Sequence, residues 1–244
     1  MTDKPRVALF VTCLVDQALP DIGISAVKVL RRAGFTVTFP AAQTCCGQPF
    51  FNSGLRDEAR KLARNSIATL ADADLVVLPS GSCTSMIRNE YEHFFEDDPL
   101  WQRAAQMLAA KTYELGEFLT LFGQELTLDD TAVPQAVTYH DSCHMCRLLD
   151  LRQEPRRLLA AAGCEINEME EADRCCGFGG VFSVRMPEVS NAMTAEKLRQ
   201  ARATGVEVLV TSDPGCLMQM RGLLAEDDPL RVEHTATILE QASR

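Results

Sequence analysis

Eight of the ten cysteines in this chain are written twice, in register. Cys13, the pair Cys45 and Cys46 followed by Gly47, and Cys83 recur as Cys143, the pair Cys175 and Cys176 followed by Gly177, and Cys216. The displacement is 130 positions for the first three cysteines and 133 for the last. Flanking segments repeat too: LRRAGFTV matches LLAAAGCEI, LVVLPSGSCTSMIR matches VLVTSDPGCLMQMR, and EDDPL occurs at Glu96–Leu100 and Glu226–Leu230. Self-similarity at this spacing predicts two structurally related units.

Each copy reads as strands alternating with helices. Arg6 to Val11, Leu75 to Leu78, Val137 to Tyr139 and Val206 to Val210 are short apolar runs rich in β-branched residues, and a cysteine follows each. Leu55, Ala59, Leu62, Ala63, Ile67 and Leu70 fall at spacings of three and four, the signature of one helix face. The matching helix is expected to start near Pro187 and to stop before Gly205. The expected fold class is therefore α/β: two tandem, pseudo-symmetric half-domains, each a small parallel sheet flanked by helices. Periodicity lapses around Thr127 to Gln135, which places the halves at residues 1–128 and 129–244. The segment from Glu226 to Ser243 reads as a solvated turn and closing helix without chemistry.

The formal charge of -10, from 34 acidic and 24 basic side chains, repels phosphate backbones and anionic membrane surfaces. Nucleic acid is thus excluded as an expected partner. No segment approaches the roughly 20 apolar residues of a membrane span. The opening MTDKPRVALFVTCLVD is interrupted by Thr12, Cys13 and Asp16, and its repeat partner marks it as a strand, not an export signal. The expected location is the cytoplasm, a reducing compartment where thiols serve as metal ligands or redox groups more often than as disulfides.

In a parallel sheet, loops after the strands gather at one edge, so Cys13 and Cys83 can meet although distant in sequence. PSGSC and DPGC put Cys83 and Cys216 at helix starts, where the helix dipole favours thiolate. The vicinal pairs can serve one site only through an irregular turn, which Gly47 and Gly177 permit. The candidate metal ligands are therefore Cys13, Cys45, Cys46 and Cys83 in one half, and Cys143, Cys175, Cys176 and Cys216 in the other. Four sulfurs suit zinc or an iron-sulfur cluster equally well on count. Dispersal over a whole half-domain, without paired CxxC knuckles, favours the larger multi-iron centre. His140 and His144 flank Cys143 and are candidates for hydrogen bonding to a ligand, with His140 an alternative ligand if zinc is bound. Cys146 is an alternative ligand, whereas Cys164 reads as a small core residue. His93, His234, Met193, Met218 and Met220 read as packing or surface residues. Arg88 and Arg221 recur in both copies and could neutralise cluster charge or cap a helix end. No catalytic residue stands out, and no phosphate-cradling GxGxxG or GxxxxGK pattern is present.

The chain resembles the CCG-domain proteins, which include a component of heterodisulfide reductase and the iron-sulfur component of glycolate oxidase, and within them most closely the lactate utilization A family. The segments that carry the resemblance are LFVTCLVD, QTCCGQP, NSG, PSGSC, YHDSCH, CCGFGG, FSV and DPGCLM, between Leu9 and Met218. The resemblance implies two iron-sulfur clusters and a role in electron transfer. It also implies two partner proteins, the three together oxidising L-lactate to pyruvate and supporting growth on lactate. One departure is visible: the pattern in heterodisulfide reductase ends in CxxC, whereas here Met86 and Gln219 occupy the place of the fifth cysteine. Four thiolates suit a 4Fe-4S cubane, with zinc in one or both sites as the alternative. A thiol or heterodisulfide reductase and a zinc-stapled scaffold are the competing functions. With no flavin or nicotinamide motif, the chain is not expected to oxidise lactate unaided.

Overall fold

A computed structural model describes residues 6–123, 126–128 and 136–243. Most of the expected boundary segment, residues 129–135, lies outside the described residues. Two four-stranded sheets are present, each wholly parallel. The first has the order β2-β1-β3-β4, with β1 Arg6–Leu9, β2 Thr36–Thr38, β3 Leu75–Leu78 and β4 Thr112–Glu114. The second repeats it as β6-β5-β7-β8, with β5 Ala136–His140, β6 Glu165–Ile166, β7 Val208–Thr211 and β8 Arg231–His234. The central strands read RVAL, LVVL, AVTYH and VLVT because helices cover both faces of each sheet.

The α/β reading and the four central strands are as the sequence predicts. The edge strands are not among the predicted elements. Arg231–His234 is the edge strand β8 rather than a solvated turn, and the helix Thr235–Ala242 that follows buries Ala236, Ile238 and Leu239. The helix Arg56–Thr69 covers the predicted register, but Leu55 lies at its entrance and is exposed, while Ser66 occupies a buried place on its inner face. Its counterpart, Pro187–Ala203, ends before Gly205 as expected.

The halves share apolar core. One cluster of buried side chains joins Val7, Val29 and Phe118 to Leu198, Leu217 and Leu239. Terminal helices are exchanged across it. Thr235–Ala242 packs on the first-half helix Pro20–Arg32, and Leu115–Phe122 packs on the second-half helix Gln153–Ala161. Each exchanged helix is capped by the last residue of an edge strand. Glu114 Oε2 accepts from the Gly116 and Glu117 amides at 2.6 and 3.2 Å, and His234 Nδ1 accepts from the Ala236 amide at 3.1 Å. Among the described residues no helix is long and apolar enough to cross a membrane.

Burial pushes the His234 imidazole down to about 4, so it caps the helix as a neutral ring. The unfolded chain binds a proton near the ordinary pKa of ~6.5 and the folded chain does not, so stability falls as pH drops through that interval. Between pH ~7 and ~5 the native chain should lose about 2 kcal/mol more than His234→Asn, which keeps a capping acceptor but no titratable ring. Denaturant unfolding at the two pH values measures the difference, and equal losses would contradict the assignment.

Candidate metal centres

In each sheet the chain reverses its direction of travel between the two central strands, β1 and β3 or β5 and β7. Loops leaving the carboxyl ends of two such strands diverge and leave a crevice. All four cysteines of a half are delivered there. Cys13 opens the helix Cys13–Ala18 after β1, and Cys83 lies in the helix Gly81–Ser85 after β3. Cys45 and Cys46 come from the loop after β2, where Gly47 adopts a φ of 90°. In the second half Cys143 follows β5, Cys216 lies in the helix Pro214–Arg221 after β7, and Cys175 and Cys176 precede Gly177 at a φ of 94°. The left-handed glycine turns two neighbouring side chains onto one site, as the sequence predicts.

The sulfurs crowd. Cys13 Sγ lies 3.5 Å from Cys45 Sγ, and Cys46 Sγ lies 3.2 Å from Cys83 Sγ. In the second half Cys176 Sγ lies 3.0 Å from Cys216 Sγ, and Cys143 is within hydrogen-bonding reach of Cys175. Gly47 and Gly177 amides donate to Cys45 Sγ and Cys175 Sγ at 3.4 Å each. Hydrogen bonds from Cys13 and Cys46 hold Cys45 down to about 3, and those from Cys143 and Cys176 hold Cys175 down to about 2. The neighbours move the other way: Cys13, Cys46, Cys143 and Cys176 are all raised, chiefly because each shares its proton with an adjacent sulfur. A set in which one thiolate is solvated by protonated neighbours is poised for a cation to displace those protons.

The two sets face one another. A cavity of about 150 Å³ between the halves is bordered by Cys13, Cys46 and Cys83 on one side and by Cys143, Cys175, Cys176 and Cys216 on the other. Bonds across the interface fix its walls: Asp213 Oδ2 accepts from the Ser82 amide at 2.8 Å, and Gln48 Nε2 lies 3.2 Å from His144 Nε2. Thr12 and Ser142, each preceding the first cysteine of its half, present buried hydroxyls without a partner among the described residues. An all-sulfur donor set, free volume beside it and unpartnered donors at its rim fit a thiolate-bound metal centre in each half.

Among the other candidates, His140 is brought to the second set. It is fully buried, its Nδ1 lies 3.2 Å from the Ala172 carbonyl, its Nε2 has no partner among the described residues, and it groups with Cys176 and Cys216 within 4.8 Å. His144 Nδ1 lies 3.5 Å from Cys143 Sγ. Cys146 turns away, its thiol directed at the Asp141 and Cys143 carbonyls. Cys164 packs beside the buried cluster containing Val137, Leu159 and Val208. Arg88 pairs with Glu117 and Arg221 with Glu233, so both are engaged on the edge elements. The residues standing where a fifth cysteine would be are occupied. Met86 is buried in apolar core, while Gln219 Nε2 donates to Ser190 Oγ and Thr194 Oγ1 at 3.0 Å. Those hydroxyls in turn hold the Gly177 and Cys176 carbonyls at 2.8 and 2.7 Å. Lys197, beneath the second set, is absent from the residues singled out in the sequence. Its signal is a lysine at a helix spacing that otherwise buries small or apolar side chains.

The cysteine-rich CCG domain matches residues 7–88 and 137–221. The chain belongs to this family, and among its members to the lactate utilization A proteins. It is 46% identical over 238 residues to lactate utilization protein A of Shouchella clausii, covering 96% of this chain and 98% of the relative. To the protein of the same name from Bacillus subtilis it is 45% identical, with the same coverage. Among solved structures, a hypothetical protein from Helicobacter pylori superposes with a TM-score of 0.70 at 10% identity, over 99% of this chain and 51% of that protein. This chain thus spans about half of that molecule, and the likeness is one of fold.

A Cβ at position 177 would lie 2.4 Å from the Ser190 carbonyl oxygen, whereas one at position 47 would meet its nearest atom at 3.3 Å. Both alanine substitutions carry left-handed strain of about 1–2 kcal/mol, and only Gly177→Ala adds a backbone clash. Gly177→Ala should therefore destabilise the chain clearly more than Gly47→Ala in denaturant unfolding. Equal losses would show that the second turn is not as tightly held as described.

Proposed function

We propose that the chain is the electron-carrying component of a cytoplasmic L-lactate oxidation system, with one iron-sulfur cluster, of the 4Fe-4S type, in each half. The observation that carries the reading is the gathering of eight cysteines into two sets of four, seven of them bordering one cavity and Cys45 lying behind Cys13 at 3.5 Å. Similarity to lactate utilization protein A supplies the substrate of the wider system. Cys13, Cys45, Cys46 and Cys83 would hold the first cluster, and Cys143, Cys175, Cys176 and Cys216 the second. Bound there, such clusters accept and release single electrons. The chain's own part is to fix the thiolates, donate the Gly47 and Gly177 amides to sulfur and exclude bulk water from Cys46, Cys83, Cys176 and Cys216, all buried. Two sets on one cavity keep the path between halves short. Residues 1–128 and 129–244 are the two units in this reading, and two partner proteins supply the lactate-oxidising and electron-accepting steps. The cytoplasm, which keeps thiols reduced, is the compartment in which ten cysteines remain available as ligands.

Lactate alone should leave the visible absorption of the cluster-loaded chain unchanged, and lactate with the two partner proteins should bleach it. Bleaching by lactate in the absence of partners, or none in their presence, would overturn the assignment.

A further inference from the structure

The two cysteine sets are not electrically equivalent. Aligned by burial, Ala59, Ala63, Ser66, Ile67 and Leu70 of the first half correspond to Ser190, Thr194, Lys197, Leu198 and Ala201 of the second. Four of these pairs exchange uncharged side chains. The remaining pair sets Lys197 against Ser66, and both are fully buried. In the first half, Tyr91 fills the space, its hydroxyl donating to the Cys46 carbonyl at 2.8 Å and lying 3.2 Å from Ser66 Oγ. No charge is introduced there. In the second half, the Lys197 ammonium donates to the Glu171 carbonyl, to the Ala172 carbonyl at 3.2 Å and to Met169 Sδ at 3.6 Å.

These three partners satisfy its hydrogens but not its charge. The Glu171 carboxylate is taken by Arg174 and Gln200, Asp141 by Arg156, and Asp173 by Arg152. The Ala172 carbonyl that accepts from Lys197 also lies 3.2 Å from His140 Nδ1, and the His140 ring groups with Cys176 and Cys216 within 4.8 Å, so the ammonium stands next to the second sulfur set. Burial pushes Lys197 down to about 8, and the Cys176 sulfur is the strongest of the groups acting the other way. A buried ion without a counter-ion is costly enough that a protein ordinarily neutralises or pairs it. Asp213, which caps its helix where Ser80 caps the corresponding one, sets an opposite charge beside Cys216, and its carboxylate accepts from the Ser82 amide of the first half as well as from Gly215 and Cys216 of the second.

We propose that Lys197 is the counter-cation of the second cysteine set, a positioning residue that raises the reduction potential of the cluster held there and leaves the first cluster untouched. A positive charge fixed beside a metal-thiolate centre favours its reduced, more negative form. The inference rests on the cluster reading above.

Potentiometric titration followed by electron paramagnetic resonance tests it on the intact, cluster-loaded chain. Lys197→Met should lower the midpoint of one centre only, and Lys197→Arg should restore it. Cys83→Ser, which removes a ligand of the first set, should leave the Lys197-sensitive signal in place. If Lys197→Met loads poorly, Lys197→Gln keeps a donor for the carbonyls without the charge. A lowered midpoint in that variant, or loss of one cluster that Lys197→Arg retains, supports the pairing. Unmoved midpoints in an uncharged variant with full iron content, or equal shifts of both centres, would overturn this inference while leaving the cluster reading intact. A native chain without iron would overturn both.

Discussion

Sulfur crowding governs this molecule. Cys46 and Cys83 stand 3.2 Å apart and Cys176 and Cys216 3.0 Å apart, all four buried. Neighbouring thiols at such distances cannot all ionise, because each negative charge opposes the next and burial opposes every one. One sulfur in each set is drawn down and its neighbours are driven up. A fold that spends eight side chains on this arrangement gains from it only if a cation takes the place of the protons. Cap, turn and interface interactions around the sets serve that arrangement. Ser80 and Asp213 cap the helices carrying Cys83 and Cys216, and Gly47 and Gly177 bend the vicinal pairs inward.

Duplication explains how one short pattern yields a two-sided site. Each half alone offers a crevice at one end of a parallel sheet. Joined by exchanged helices and a common apolar core, the halves bring those ends face to face. Within that symmetric frame the polar details diverge. Phe10 lines the first half where His140 lies in the second, and Ser66 with Tyr91 stands where Lys197 does. Such differences are how a duplicated scaffold can carry two centres of unequal chemistry.

Much of this was legible in the sequence, for physical reasons. The central strands are continuous apolar runs because both faces are covered, and eight cysteines repeat in register, so the α/β fold and both sulfur sets could be read directly. Edge strands escaped because TVT, TYE, EI and RVEH are short and mixed in polarity. Arg231–His234 in particular looks like a solvated turn until β7 is there to pair with it. Lys197 escaped because a single lysine on an amphipathic helix ordinarily points to solvent. Its spacing puts it on the inner face, but the loop carbonyls of Glu171 and Ala172 that make its burial possible are a tertiary contact. The ion pairs of Arg88 and Arg221 were not legible for a similar reason, since Glu117 lies in the helix Leu115–Phe122 and Glu233 on the edge strand β8.

Metal and acid-labile sulfide analysis of the chain purified without oxygen tests the central claim most directly. The account predicts about four iron and four sulfide for each half, with a paramagnetic signal that responds to reductant. Zinc without sulfide in both halves would contradict it and leave a metal-stapled scaffold in place of an electron carrier.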